Sequence, residues 1–292
     1  MSRLRSRSLG DYIINVLMIV ICFLAIYPVW YSIIISFSDS NEAMKGGIYL
    51  LPRKFSLQSY KTVFQDSSII SAFIVTIART VIGTVISVFF TAMVGYALSK
   101  KYIMGNKLYM ILGTITMFFS GGLIPTFIMF RNIGLLNNFL VYVIPSMFNF
   151  YNMIIFVSFF RELPAGLEES AKLDGANDFT IFVKIIIPLS MPVIATIALF
   201  NGVWQWNDYF TGVIYIYKDY LQPIQTYLYR VVAAADGAKM SIAGTGNVAG
   251  QQVSSLTVNL ATMVVTTLPI VCVYPFLQKY FVKGVMVGAV KG

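Results

Sequence analysis

The chain alternates between long apolar blocks and short polar segments along its 292 residues. Each block is long enough for a helix to cross the hydrocarbon core of a bilayer, which takes about 20 residues. Backbone N–H and C=O groups cannot stay unpaired in lipid, so each crossing is expected to be α-helical. The pattern predicts an all-α, polytopic membrane protein whose whole chain, 1–292, forms one transmembrane domain. Six transmembrane spans are expected near residues 12–37, 69–98, 108–130, 140–160, 189–210 and 256–281.

The composition excludes several classes of protein. Hydrophobic residues make up 58% of the chain and charged residues 11%, whereas a soluble domain carries roughly 25% charged residues. The absence of histidine excludes imidazole proton relays and histidine-ligated metal sites. Both cysteines, Cys22 and Cys272, fall inside predicted spans and are interpreted as packing residues rather than as a disulfide. No metal site is expected.

The formal charge of +9 is distributed as a topology signal rather than as a nucleic-acid patch. Twelve Lys and Arg residues at or beyond the ends of the spans lie on one side of the predicted topology, and eight lie on the other. Short basic segments mark the cytoplasm, so both termini are expected on the cytoplasmic side of the cell membrane. Two long outer loops follow, near residues 38–68 and 211–255. The Gly- and Ser-rich part of the second loop is either a linker or a contact surface for an external partner.

The third span contains Gly121, Gly122 and Pro125. Gly and Pro are tolerated in membrane helices where neighbouring groups re-pair the freed backbone. A kink or close helix packing is the first interpretation, and a gate in the pore is the second. The sequence leaves both open.

A charged segment lies between spans four and five, and its first part, RELPAGLEESAKLD, is predicted to form a short helix at the cytoplasmic surface. Pro164 suits the first helical turn. Glu168 and Lys172 are spaced for an i,i+4 ion pair. Gly175 can end the helix in the left-handed conformation. An apolar edge recurs every four residues, at Leu163, Leu167 and Ala171.

The same segment is predicted to continue into a second helix. Asn177 or Asp178 is expected to cap it, and Pro188 is expected to end it as the chain enters span five. The turn between the two helices projects, and another protein could approach its backbone closely at the small residues Ser170, Ala171, Gly175 and Ala176. The alternative interpretation is an amphipathic linker on lipid headgroups. The excess of acidic over basic residues in the segment disfavours that alternative, because anionic lipids attract Lys and Arg.

This segment resembles the EAA loop of ABC importer permeases. The loop reads Glu169-Ser170-Ala171, then Gly175, then Ile187-Pro188, with Ser170 in place of Ala and Ile187 in place of Leu. The resemblance extends along the chain. EESAKLDGA is similar to the loop of MalG-type sugar permeases, and MFFSGGLIPTF, LPRKFSLQSY and YPFLQKYFVKGVMVGAVKG resemble the LplC/YtcP branch for complex polysaccharide fragments.

The resemblance implies a type I ABC importer permease fold and an assembly. This chain would be one transmembrane subunit, joined by a second homologous permease, two cytoplasmic ATPase subunits and an external solute-binding protein that delivers an oligosaccharide. ATP and magnesium would be used by the ATPase, because the chain has no Gly-x-x-x-x-Gly-Lys-Ser/Thr phosphate loop. It would bind no cofactor and would not be an enzyme. The implied coupling residues are Glu168, Glu169, Ser170, Ala171, Asp174, Gly175, Ile187 and Pro188.

Polar and aromatic residues within spans are candidates for the cargo pathway, because polar groups at membrane depth usually face a cavity or the bundle interior. The candidates are Asn149, Tyr151, Asn152, Asn201, Trp204, Gln205, Asp208 and Arg79. In span five, Asn201, Trp204, Gln205 and Asp208 are expected to share one helix face. For the aromatic residues near the outer end, an interfacial belt is the alternative. Arg79 would suit an acidic sugar, but a structural salt bridge or an outer-end position is the preferred interpretation.

Three alternative functions differ in what they would require of the sequence. A secondary transporter would require an acid at depth, for which Asp208 is available. A permease for another cargo, such as a peptide, is compatible with the same loop. A membrane enzyme would require a catalytic constellation at the interface, and the sequence offers none.

Overall fold

The structure is a computed structural model that describes residues 9–48, 50–242 and 256–273. In this part of the chain the regular structure is helical, and the strand-like pairing is one isolated bridge between Ser38 and Phe55. The longer helices are α1 (Leu9–Ser36), α2 (Ser67–Ser99), α3 (Asn106–Phe118), α4 (Leu123–Asn132), α5 (Phe150–Glu162), α6 (Ala165–Leu173), α7 (Asp178–Leu189), α8 (Met191–Asn207), α9 (Ile224–Ile242) and α10 (Leu256–Val273). Shorter helical turns are Ser40–Ala43, Gln58–Gln65, Phe139–Tyr142, Phe210–Tyr215 and Asp219–Leu221.

Within the described ranges, three helices are long and apolar enough to cross a membrane: α1, α2 and α10. The number rises to five if each of two bent pairs counts as one crossing. The bend is 112° between α3 and α4 and 84° between α7 and α8. The predicted helical membrane fold is confirmed, whereas the count of six crossings stays a prediction. Residues 274–281 of the sixth predicted span lie outside the described residues.

The third predicted span, 108–130, is not one helix. Its break falls at the predicted Gly-Gly pair: Phe119 is extended, with φ −116° and ψ 123°, and Gly122 has φ +84°. Only glycine adopts that conformation without steric penalty. The Ser120 hydroxyl accepts the Gly122 N–H at 3.2 Å, which stabilises the turn before α4 begins. The kink that the sequence predicted is therefore a sharp reversal of direction.

The fourth predicted span, 140–160, is α-helical only in its second half. Pro145 has no N–H for a helical hydrogen bond. Asn149 then caps α5, because its Oδ1 accepts the Asn152 N–H at 2.9 Å. The residues before α5 therefore form a 3₁₀ turn, Phe139–Tyr142, and an irregular segment. The expected helix over residues 140–149 was wrong for these two local reasons.

The chain divides into two compact units. In the unit of residues 1–67 and 228–267, Ile34 and Ile35 at the end of α1 pack with Ala43 and Leu260. In the unit of residues 68–227 and 268–292, helices α2, α5, α7 and α8 share one core. We call it the four-helix core; its buried residues are Val88, Ala92, Tyr96, Phe156, Phe160, Ile181, Phe182, Ile186, Val193 and Ile197.

Within this core, α2 and α5 approach closely at Gly95. A Cβ added there would lie 2.9 Å from the Cβ of Phe156 and 3.4 Å from the carbonyl oxygen of Met153. We expect Gly95→Ala to lower the stability of the purified chain by about 1–3 kcal/mol, because neither contact can move without shifting α5. Thermal unfolding in detergent measures this change.

Gly202→Ala is the matched control, since its Cβ would meet ordinary contacts, the nearest at 3.7 Å on Thr84. This helical substitution is expected to leave stability unchanged or higher. Equal losses in both variants would contradict the close-approach explanation.

Candidate functional site

The charged segment forms α6 and a tight turn. Pro164 precedes the first helical residue, Ala165, as the N-cap with extended backbone. After Asp174, Gly175 takes the left-handed conformation with φ +81°. The Gly175 N–H donates to the Lys172 carbonyl at 3.0 Å, and the Ala176 N–H donates to the Ala171 carbonyl at 2.9 Å. These two bonds define a Schellman motif, so the predicted helix end at Gly175 is confirmed.

The second helix, α7, begins as predicted and ends one residue later than predicted. The Asn177 Oδ1 accepts the Thr180 N–H at 2.8 Å and caps the helix. Pro188 lies inside the helix rather than after it, since α7 continues to Leu189. The helix tolerates this proline by widening: Phe182–Ile186 form a π-helical turn. A wider turn separates the proline ring from the carbonyl it would otherwise meet.

The turn between α6 and α7 has an inner and an outer face. Ala171 and Ala176 are half-buried against the four-helix core. Glu169, Asp174 and Gly175 are exposed. Exposed residues on this segment also include Ser170 and Pro188, while Ile187 is half-buried. Of the four small residues expected to admit a partner, only Ser170 and Gly175 therefore face outward.

The charges of the segment pair differently from the sequence expectation. Glu168 binds Lys100, which follows α2, and Lys172 binds Asp178 with 2.9 Å between Nζ and Oδ1. The predicted i,i+4 pair of Glu168 and Lys172 is therefore wrong, because each residue has a partner on a neighbouring element. The hydrogen bond to Asp178 raises the pKa of Lys172 above its usual value. Within the described ranges, Glu169 makes no ion pair.

A cavity of about 410 Å³ lies where the start of α5 meets α8. Five of the eight predicted cargo-pathway residues line it: Asn149, Tyr151, Asn152, Asn201 and Trp204. Trp204 is 52% exposed and presents its ring. The Asn201 amide nitrogen is buried and has no hydrogen-bond partner in the described structure. An aromatic face beside an unused amide donor suits a sugar ring, which offers both C–H faces and hydroxyls.

The other three predicted residues form a separate buried network. The Arg79 guanidinium has no exposed surface; Nη2 lies 2.7 Å from Asp208 Oδ2, and Nε donates to Gln205 Oε1 at 3.0 Å. Nη1 donates to the Asp208 carbonyl at 3.0 Å. The guanidinium also lies 4.3 Å from the centre of the Tyr142 ring. The structure thus gives Arg79 a structural salt bridge, the preferred interpretation from the sequence.

The expectation that four residues of span five share one face needs a correction. Asn201 and Trp204 line the cavity, whereas Gln205 turns away to Arg79. Asp208 lies beyond the last turn of α8, in extended backbone with ψ 110°. Helical periodicity does not apply past that point. The carboxylate is instead positioned by Arg79 at Oδ2 and by the Thr211 N–H, which donates to Oδ1 at 3.2 Å.

Sequence reasoning missed the cavity residues of the irregular segment before α5. Pro145, Ser146 and Phe148 line the cavity together with Phe200 of α8. Ser146 also connects the cavity to the buried network, because its hydroxyl accepts the Gln205 Nε2–H at 2.9 Å. Pro145 was the sequence feature that could have indicated this irregular segment, because it interrupts the helical hydrogen bonds inside an otherwise apolar block.

Comparison with known proteins places these features in a family. Residues 94–287 match the model of the family described as binding-protein-dependent transport system inner membrane component. The chain is 39% identical over 286 residues to the polygalacturonan/rhamnogalacturonan transport system permease protein YtcP of Bacillus subtilis, with 97% of this chain and 99% of that protein covered. It is 38% identical over 269 residues to protein LplC of the same organism, with 92% and 90% covered.

A solved structure agrees in fold. It is that of a bacterial ABC transporter involved in the import of the acidic polysaccharide alginate, one chain of which matches with a TM-score of 0.84 and 32% identity. The match covers 95% of this chain and 99% of that one. The family and these relatives are transport permeases rather than enzymes. The chain therefore belongs to the binding-protein-dependent transport system inner membrane components, the membrane permeases of ABC transporters.

Proposed function

We propose that this chain is one of two pore-forming subunits of an ATP-driven importer of oligosaccharides. Its partners are a second homologous permease, two cytoplasmic ATPase subunits and an extracytoplasmic solute-binding protein, and both termini face the cytoplasm. The observation that carries the proposal is the outward turn of α6, where Glu169 and Asp174 are exposed beside Gly175. Carboxylates on a turn of small residues fit a cleft in a partner protein rather than an anionic membrane surface.

The same helices connect this turn to the cavity. Helix α5 contributes Phe156 to the four-helix core under α6 and Tyr151 to the cavity. Helix α8 contributes Ile197 to the core and Trp204 to the cavity. A displacement of α6 by closing ATPase subunits is therefore transmitted through packed helices to the cavity. This is the geometry that alternating access by rocking helices requires.

Oligosaccharide cargo is supported by the cavity and by the relatives. The cavity offers an indole ring, a tyrosine ring and asparagine amides, the groups that bind sugar rings and hydroxyls. The relative YtcP is named for polygalacturonan and rhamnogalacturonan transport, and the solved relative imports alginate. We propose fragments of such polysaccharides as the cargo. Arg79 does not contribute a free cation to them, because Asp208 already neutralises it.

The alternative function, a secondary transporter, would need Asp208 as its ion-coupling residue. Asp208 holds Arg79 at 2.7 Å and is 9% exposed at its side chain, so the carboxylate is not available to a travelling proton or cation. Uptake that follows an ion gradient and continues without ATP would nevertheless establish that alternative.

The direct test is affinity purification of the chain from its native membranes in mild detergent, followed by mass spectrometry. One ATPase and one second permease are expected in stoichiometric amounts. A Glu169→Lys variant is expected to keep the permease and lose most of the ATPase, because it reverses an outward charge on the turn. Purification without any ATPase, or unchanged ATPase recovery with the variant, would contradict the proposal.

The cargo assignment gives a second expected result. Trp204→Ala removes the exposed ring from the cavity, and stacking of this kind contributes about 0.5–1.5 kcal/mol. The concentration of labelled oligogalacturonide for half-maximal uptake is expected to rise by about 2- to 10-fold. Trp204→Phe, which keeps an aromatic face, is the control and should stay near the original value. Equal behaviour of the two variants would remove Trp204 from the cargo pathway.

A further inference from the structure

Two of the four described ion pairs are shielded from solvent. The side chains of Lys100 and Glu168 are 12% and 21% exposed. In contrast, those of Lys172 and Asp178 are 45% and 58% exposed. Exposed pairs contribute little, whereas a shielded pair holds its geometry. The Lys100–Glu168 pair therefore stands apart from the ordinary surface charges of the cytoplasmic segment.

Aromatic side chains of the four-helix core pack against the Lys100 side of the Lys100–Glu168 pair. The Lys100 ammonium lies 4.0 Å from the centre of the Tyr96 ring, which is within cation–π range. Tyr96 is 6% exposed and stacks on Phe182 of α7 at 5.4 Å between ring centres. The lysine is thus held by the carboxylate of α6 on one side and by the four-helix core on the other.

Backbone contacts fix the end of α2 to the same region. The Arg161 guanidinium of α5 donates to the Leu98 carbonyl at 3.3 Å. The Asn106 amide donates to the same carbonyl at 2.7 Å and to the Lys100 carbonyl at 3.2 Å. These bonds hold the segment that carries Lys100 in a defined position. The Lys100–Glu168 pair therefore joins the end of α2 to α6, and both are ordered.

Helix α2 extends from this point to the buried network. Lys100 directly follows the last turn of α2, and Arg79 lies 21 residues before it on the same helix. At about 1.5 Å per residue, this separation is roughly 30 Å, close to the thickness of the hydrocarbon core. If the Lys100 end of α2 is displaced, a rigid α2 therefore also displaces Arg79, roughly one hydrocarbon-core thickness away. There Arg79 binds Gln205 and Asp208, which lie at the end of α8 next to the cavity-lining residues.

We propose that Lys100 and Glu168 form a latch that makes α2 move with α6. Their role is to position α2 when the ATPase subunits displace the turn, and the inference rests on the proposed importer function. Glu168 then acts within this chain, whereas Glu169 and Asp174 face the ATPase. This removes Glu168 from the set of ATPase-coupling residues that the resemblance to ABC importer permeases implied.

The test uses the purified importer complex in proteoliposomes with its binding protein and labelled oligogalacturonide. It measures sugar imported and ATP hydrolysed in the same sample. Lys100→Met and Glu168→Gln are expected to retain the ATPase subunits and to lower sugar imported per ATP by about 5-fold or more. The charge swap Lys100→Glu with Glu168→Lys is expected to restore at least half of the original ratio. Lys101→Met, which removes the exposed neighbouring charge, is the matched control and should behave as the original chain.

The possible outcomes separate the latch from the importer function. If the single variants keep the original ratio, or if the swap couples no better than they do, the latch is wrong while the importer stands. If Glu168→Gln loses the ATPase, Glu168 is a partner contact and the latch is also wrong. If the unmodified chain purifies without an ATPase, the proposed function itself fails. Recovery and unfolding temperature of each variant distinguish loss of coupling from loss of folding.

Discussion

Arg79→Met is expected to destabilise the chain by about 3–5 kcal/mol, the range for removing one partner of a buried ion pair. The Asp208 carboxylate would stay 9% exposed without its cation, and Gln205 Oε1 would lose two donors from the same guanidinium. Methionine fills similar volume but donates no hydrogen bond. Thermal unfolding of the purified chain, and the amount recovered from membranes, measure the loss.

A double variant tests whether the salt bridge causes the expected loss of stability. Arg79→Met combined with Asp208→Asn removes both charges, so much of the lost stability is expected to return. Arg131→Met is the control, because Arg131 is an exposed arginine in the last turn of α4 and is expected to change stability by a few tenths of a kcal/mol at most. If the double variant is as unstable as the single one, the salt bridge does not explain the effect of Arg79.

Gly175→Val is expected to separate coupling from folding. The left-handed conformation at φ +81° is unfavourable for an L-residue by about 1–2 kcal/mol, and more for a β-branched one. No atom lies within 4 Å of the added Cβ, so the cost arises from the backbone rather than from a clash. The Schellman motif is expected to open and shift Glu169 and Asp174. Recovery of the ATPase with the chain is expected to fall about 10-fold.

Gly134→Val is the matched comparison for this experiment. Gly134 also has a positive φ, +73°, and also has nothing within 4 Å of an added Cβ, but it lies after α4 rather than in the charged turn. It should lose similar stability and keep the ATPase. Gly175→Asn should retain most of the binding, since asparagine tolerates the left-handed region. Loss of the ATPase in the Gly134 variant as well would show that strain alone, and not the turn, controls assembly.

The parts of this structure that could be predicted from sequence depend on local rules. Gly175 ends α6 and Asn177 caps α7 because both effects involve residues within a few positions of each other. The number and extent of helices in lipid are harder to predict. Hydropathy averages over some 20 residues, so it does not register that Gly122 or Asn149 changes the backbone direction within an apolar block.

Ion pairs between residues distant in sequence could not be predicted from residue spacing. Glu168 has an oppositely charged residue four positions away in sequence, Lys172, yet it binds Lys100, which is 68 residues distant. Arg79 binds Asp208 across 129 residues. Such choices depend on which helices pack together, and the apolar pattern of a membrane span reveals its packing face only weakly, because lipid and core are both apolar.

The neutral Arg79–Asp208 network has an electrical consequence. A single charge moved through the membrane field changes its energy by about 2.3 kcal/mol per 100 mV. The guanidinium and the carboxylate, 2.7 Å apart, would travel together and carry no net charge through the field. Membrane voltage therefore performs almost no work on this network in either direction. The rearrangement of this ion pair would therefore proceed nearly equally in energised and depolarised cells.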